Sequence, residues 1–252
     1  MKERKMLMML TAVLGAVLLL EVLFNLILAP RLRVNSVVLE SDIPLNDEAL
    51  LSLTGLDRDN WYFSLDVEEL TRSLEKLAIV EEAVVTKQFP NKMSIRLDSR
   101  QPLVMSLTMG EGEMKPLIID REGVVFLTGR SVLSYNLPLL TGIENTWEAE
   151  QDLLSGEVTP LLEDLDRLKN DSENLYNIIS EINIQPRERG VLDIELHLTT
   201  HRIPVLLDLP VTVEKMNQAV MVVDVMEKEG LEGRIEEIDL RSGSIVYKER
   251  EA

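Results

Sequence analysis

From Met6 to Ala29 the chain is apolar almost without a break, and after Pro30 two other rhythms take over. As a helix this run would measure about 36 Å at 1.5 Å per residue, enough to cross a hydrocarbon core of about 30 Å with some tilt. A cleaved signal peptide has an apolar region of roughly 7–15 residues followed by small residues at the cut. Here a cut after Ala29 would put Ile27 at the −3 position and Pro30 directly behind it. The run is therefore expected to be a retained transmembrane helix over residues 6–29, ended by Pro30, which has no N–H to continue the ladder. Lys2, Arg4 and Lys5 make residues 1–5 a short basic tail, expected to remain cytoplasmic with the bulk of the chain on the outer side.

Two polar residues interrupt the run. Glu21 and Asn25 are four apart and would share one face of an α-helix. Two readings stay open. They form a contact with another membrane helix, since a carboxyl in hydrocarbon is costly and normally faces a protein partner. Alternatively, Glu21 is protonated or snorkels to the outer interface, about 12 Å away along the axis.

Residues 31–102 read as one small module. The β-branched stretch from Arg33 to Leu39 suits a strand. A short helix follows Pro44 and Asn46, with Leu45, Ala49, Leu50 and Leu53 on one side, and stops at Gly55. Asp66 caps a second helix with Glu69 three residues on, and Val67, Leu70, Leu74 and Leu77 form its stripe. Trp61, Tyr62 and Phe63, just before it, are expected to pack the core between helix and sheet. Ala83–Phe89 and Met93–Leu97 then alternate around Pro90-Asn91-Lys92 as a hairpin. The order β-α-α-β-β gives a small sheet with two helices on one face.

Residues 103–252 read as a second, strand-rich domain. Leu117–Phe126 is strand, turn, strand around Gly123, and Asn136–Gly142 is another apolar stretch closed by glycine. Residues 147–169 have a helical leucine pattern (Leu153, Leu154, Leu161, Leu165, Leu168) interrupted by Gly156 and Pro160. Strands are expected over Ile178–Ile184, Gly190–Leu198 and Ile203–Leu207. A last helix spans Lys215–Lys228, with Met216, Ala219, Val220, Val223 and Met226 inward. Ile235–Leu240 and Ser244–Tyr247 close the chain. The fold class is thus α+β: an N-terminal transmembrane helix, a β-α-α-β-β module and a mostly antiparallel C-terminal β domain with flanking helices.

Charge narrows the function. The 252 residues carry a formal net charge of −18. Five cations against two carboxylates give residues 1–33 a balance of +3, which leaves −21 for the remainder. Such a body is repelled by phosphate backbones, so nucleic acid is a poor partner. There is no cysteine, which removes thiol nucleophiles, disulfides and Cys-ligated metals. His197 and His201 are the only histidines. Their H-x-x-x-H spacing would suit zinc on a helix, but Leu192–Leu198 alternates as a strand, which sets residues four apart about 13 Å from each other. No nucleophile elbow or phosphate-cradling loop is present. No catalytic residues, cofactor or metal are expected.

A terminal strand offers another kind of activity. Ser244, Ile245, Val246, Tyr247 and Lys248 form a candidate sheet edge to which a partner's extended segment could add. A proline at Val246 would then remove a ladder N–H. The same strand could simply complete the sheet.

The hairpin Phe89-Pro90-Asn91-Lys92-Met93-Ser94-Ile95-Arg96-Leu97 and Arg100-Gln101-Pro102 resemble the POTRA-domain pattern of the bacterial FtsQ/DivIB cell-division family. That pattern has a glutamate where this chain has Ser99. Asp120-Arg121-Glu122-Gly123, Leu137-Pro138-Leu139-Leu140-Thr141-Gly142, Lys215 and Ile238-Asp239-Leu240-Arg241 resemble further short motifs of that family in the same order. A glycine usual in that family shortly before this lysine is absent here, with Asp208 in its region. The resemblance implies residues 1–5 as cytoplasmic tail, 6–29 as membrane helix, 31–102 as POTRA-like domain and 103–252 as β domain. It further implies a non-enzymatic scaffold of the division septum, in the cytoplasmic membrane, whose terminal β region recruits bitopic FtsB- and FtsL-type proteins. The other reading is a membrane-anchored periplasmic chaperone or translocation accessory that uses its POTRA domain.

Overall fold

The computed structural model describes residues 2–28, 32, 34, 36–43, 52, 62–110, 113–143, 158–186 and 192–250. Apart from Ser52, the helix expected between Pro44 and Gly55 lies outside them. So do Ala29, Pro30, Trp61, Gly190 and the 147–157 part of the expected leucine-patterned helix. The chain divides into two compact units, Met1–Ser99 and Arg100–Ala252.

The first unit opens with helix α1, Lys2–Leu23, which passes into a π-helical turn over Phe24–Leu28. Among the described residues no helix is long and apolar enough to cross a membrane. The expected single α-helix over 6–29 is corrected accordingly: regular α geometry ends at Leu23.

The globular part of this unit is a three-stranded sheet in the order β1-β3-β2, with β1 at Ser36–Ser41, β2 at Val80–Gln88 and β3 at Lys92–Ser99. β2 and β3 form the expected antiparallel hairpin, and β1 runs parallel to β3. Helix α2, Val67–Glu75, starts where Asp66 accepts hydrogen bonds from the Glu68 and Glu69 N–H groups at 2.9 and 3.1 Å, satisfying two of the donors a helix start leaves open. Leu70 and Leu74 are its buried stripe, packed with Met93, Ile95 and Leu97 of β3. Of the aromatic triplet expected in this core, Tyr62 is buried, but Phe63 is 62 % exposed. A side chain following a buried neighbour in an open turn points the opposite way, and here that way is solvent.

The second unit is built on one nine-stranded sheet in the order β12-β11-β10-β9-β8-β7-β4-β5-β6. The strands are β4 Val104–Gly110, β5 Glu113–Ile119, β6 Val125–Thr128, β7 Leu139–Thr141, β8 Ile179–Pro186, β9 Leu192–Leu198, β10 Val205–Asp208, β11 Ile235–Asp239 and β12 Val246–Glu249. Its helices are α3 Thr159–Asp171, α4 Glu173–Asn177 and α5 Val213–Lys228. Most neighbours are antiparallel; β4 with β7, β7 with β8 and β10 with β11 are parallel. Leu161, Leu165 and Leu168 of α3 and Met216, Ala219 and Val223 of α5 share one core with Ile182, Ile194, Leu196 and Ile238 of the sheet. β4 and α4 were not expected. Pro160 does not interrupt a helix but stands in the first turn of α3, where its missing N–H would be unused anyway.

The chain is held firmly where it enters this unit. Arg100 Nη1 lies 2.5 Å from Asp120 Oδ2 and 3.3 Å from Glu122 Oε2. Burial works against the Arg100 charge, but these carboxylates outweigh it and raise its pKa. Lys169 Nζ donates to the Pro102 carbonyl at 2.9 Å, and the buried Tyr176 hydroxyl donates to the Leu103 carbonyl. Burial, with Asp166 assisting, pushes the Tyr176 phenol well up. Gly142 closes β7 at a φ of +80°, where an added Cβ would lie 2.0 Å from the Ile184 carbonyl oxygen. Only glycine fits there.

Candidate partner-binding edge

β12 is the last strand of the large sheet, and among the described residues β11 is its single neighbour. The turn before it uses Gly243 at a φ of +70°, a backbone conformation that side-chain-bearing residues avoid. The strand begins at Val246, two residues later than expected. Ser244 and Ile245 of the candidate edge therefore lie in the approach to it, and Val246, Tyr247 and Lys248 lie within it. All four strand residues are exposed, and Ile245, Val246 and Tyr247 each present about half of their surface.

The direction of the backbone groups follows from the neighbouring pairing. The Ile238 N–H donates to the Pro204 carbonyl and the Leu240 N–H to the Leu206 carbonyl, both at 3.0 Å. Those residues of β11 thus turn toward β10, and Glu237 and Asp239 turn toward β12. Their partners are Lys248 and Val246, whereas Tyr247 stands opposite Ile238. Val246 and Lys248 therefore bond inward to β11. Tyr247 points its N–H and C=O out of the sheet, where a further strand would meet them. This corrects the expectation for a proline at Val246, which would break the pairing of β12 with β11 instead of blocking the open side.

β11 is fixed at its C-terminal end by charge. Arg241 Nε lies 2.9 Å from Asp239 Oδ1, its Nη2 lies 2.5 Å from Asp239 Oδ2, and its Nη1 reaches the buried Asp193 of β9. The bonds to Asp239 and the Asp193 charge together raise the Arg241 pKa against the opposing effect of burial. The Ile238-Asp239-Leu240-Arg241 segment is in this way a clamp that holds β11 against the sheet and leaves β12 as the outer strand. Lys215 acts similarly: its Nζ lies 2.6 Å from Asp208 Oδ1 and 2.9 Å from the Asp208 carbonyl oxygen, tying α5 to β10. Sequence reasoning overlooked Asp193. Its only trace was an acid between Leu192 and Ile194 in an otherwise buried strand.

The remaining candidates lie apart from this edge. Glu21 is exposed on α1, and Asn25 falls in the π-helical turn that follows it. His197 lies in β9, with its Nε2 3.3 Å from Glu195 Oε1. His201 lies beyond the strand, with its Nδ1 2.9 Å from Glu227 Oε2. Among the described residues no group of three His, Asp or Glu side chains could hold a metal ion.

Comparison with known proteins bears on both units. Residues 32–100 match the family model of the FtsQ-type POTRA domain, and residues 110–241 match that of the C-terminal region of cell division protein FtsQ/DivIB. A cell division protein FtsQ of Myxococcus fulvus is 27 % identical over 116 residues, covering 46 % of this chain and 39 % of that protein. One of Rickettsia prowazekii is 25 % identical over 91 residues, covering 36 % of this chain and 33 % of its own length. The matched regions thus span no more than about two fifths of these curated relatives.

Proposed function

The chain belongs to the FtsQ/DivIB family of cell-division proteins, and from that membership we propose that it is a membrane-tethered, non-enzymatic scaffold of the division septum. It recruits bitopic FtsB- and FtsL-type proteins by taking an extended segment of theirs as one more strand beside β12. The observation that carries this reading is the outward set of backbone groups at Tyr247 on an edge strand whose side chains are all exposed. Main-chain bonds at such an edge supply affinity, and the alternating side chains supply selectivity. Ile245 and Tyr247 face one side of the ribbon, and Val246 and Lys248 face the other.

The tether is the segment Met6–Leu28. Its support is that α1 carries no charge from Met6 to Leu20, with Met6, Leu10, Leu14, Leu18 and Leu20 each more than half exposed, a pattern that water does not favour and lipid does. Residues 1–5 are then cytoplasmic and residues 31–252 lie outside, as a POTRA-like domain over 31–102 and a β domain over 103–252. Glu21 and Asn25 meet a partner helix in this arrangement. Glu21→Leu is expected to weaken recruitment to midcell, and normal localisation of that variant would return Glu21 to a snorkelling role.

Tyr247→Pro tests the edge. It deletes the outward N–H and leaves the inward bonds of Val246 and Lys248, and an edge strand tolerates proline on its open side. Co-purification of FtsB- and FtsL-type proteins from membranes should be lost while the thermal unfolding of the variant stays near that of the parent. Undiminished recovery of both partners by a folded Tyr247→Pro protein would defeat the assignment.

A further inference from the structure

At the junction between α1 and the first sheet, the Tyr62 N–H donates to the Leu32 carbonyl at 3.0 Å. Leu32 is four residues beyond Leu28, the end of the helical apolar segment, so the two are separated by at most about 14 Å of chain. The buried Tyr62 ring is met edge-on by two others: Phe63 at 5.3 Å and Phe89 at 6.1 Å between centroids, both with ring planes 84° apart. These two outer rings are 62 % and 72 % exposed. Lys87 Nζ lies 5.4 Å over the Tyr62 ring and donates to the Leu65 carbonyl, so a cation borders the same patch.

Phenylalanine rings this exposed are costly in water. A chain that has just left a bilayer has lipid within reach. Aromatic side chains favour the headgroup region on either side of the hydrocarbon core, and lysine suits its boundary. The hairpin residue Phe89 and the turn residue Phe63 come from segments far apart in sequence, yet converge on the one tyrosine bonded to the membrane-proximal strand of chain. We propose that Phe63 and Phe89 insert into the outer lipid interface and fix how the small domain stands on the membrane. The occupant of the patch is lipid. The inference rests on the reading of Met6–Leu28 as a tether.

The chain has no cysteine, so a single introduced cysteine carries a fluorophore at one site only. The full-length protein is reconstituted in phosphatidylcholine–phosphatidylglycerol vesicles containing acyl-brominated lipid, with the label at Phe63→Cys, Phe89→Cys, Val17→Cys or Glu75→Cys in turn. Glu75 is exposed at the opposite end of α2, about 12 Å along the axis from Val67. The labels at 63 and 89 should be blue-shifted and quenched several-fold more than the label at 75, and the label at 17 should be quenched most. Quenching at 17 with labels at 63 and 89 no better quenched than at 75 would overturn the insertion and leave the tether standing. Absence of quenching at 17 would overturn both. Each replaced phenylalanine is exposed, so folding is retained, and circular dichroism of each variant checks it.

Discussion

β9 and β12 are three places apart in one sheet, and they are opposite in almost every physical respect. β9 carries Leu192, Ile194, Leu196 and Leu198, all buried, together with a buried aspartate that binds Arg241. β12 carries four exposed residues and, among the described residues, is paired on one side only. One strand holds the unit together, and the other gains almost nothing from burial. A sheet edge is available to a partner for the same reason that it contributes little to stability: its polar backbone groups are not spent within the fold.

The contrast breaks most visibly in β9. Ile194→Ala empties a fully buried site and is expected to cost about 2–5 kcal/mol, lowering the urea midpoint of the second unit without altering its slope. The same truncation at Val246, half exposed on β12, should stay within about 0.5 kcal/mol. Equal costs at the two positions would mean that β12 is not a marginal strand, and the argument for its availability would fail.

Between those extremes stands the clamp. Asp193→Ala removes the buried partner of Arg241 and should cost about 1.5–3 kcal/mol, the range for a hydrogen bond to a charged group. Its distinctive sign is local. Amide exchange should accelerate in β11 and β12 more than in β8, because Arg241 holds the end of β11 and not the centre of the sheet. Uniform acceleration across the sheet would make Asp193 an ordinary core residue.

The same contrast explains what could be read from sequence. α5, β8, β9, β10 and β11 were legible because their apolar residues recur at helical or alternating spacing that matches the buried face. β4 was not, since its pattern is reversed: Ser106 and Thr108 are buried, Leu107 is partly exposed and Met109 is 65 % exposed. The inward Ser106 hydroxyl is satisfied by donating to the Leu140 carbonyl at 2.8 Å, which no local rhythm announces. The terminal edge was legible as an alternating stretch, but which of its N–H groups faces outward depends on how β11 pairs with β10. The roles of Asp239 and Arg241 needed Asp193, 48 residues from Arg241. Phe63 was misread because an aromatic next to a helix start looks like core until its neighbour Tyr62 takes that place.

The smallest expected effect asks how far the rigid part of the second unit extends. Glu227, in the last turns of α5, accepts the Arg202 N–H at 2.8 Å and lies 2.9 Å from the His201 ring, tying the helix to the turn that joins β9 and β10. Partial burial works to raise this carboxyl, but the Arg202 N–H, the His201 ring and the charges of both residues outweigh it, so it titrates below its ordinary value of 4.5. A carboxyl depressed in the folded chain binds its proton more readily when unfolded. Its stabilisation is therefore complete above the ordinary value and fades as the pH falls through the folded one. Glu227→Gln should be slightly less stable than the parent at neutral pH, and the gap should narrow in acid and close once the parent's carboxyl is protonated. Urea midpoints of both proteins measured from neutral pH downward check this. A gap that stays constant into acid would mean that the charge of Glu227 does nothing for the helix, and that α5 is held by Met216, Ala219, Val223 and the Lys215–Asp208 pair alone.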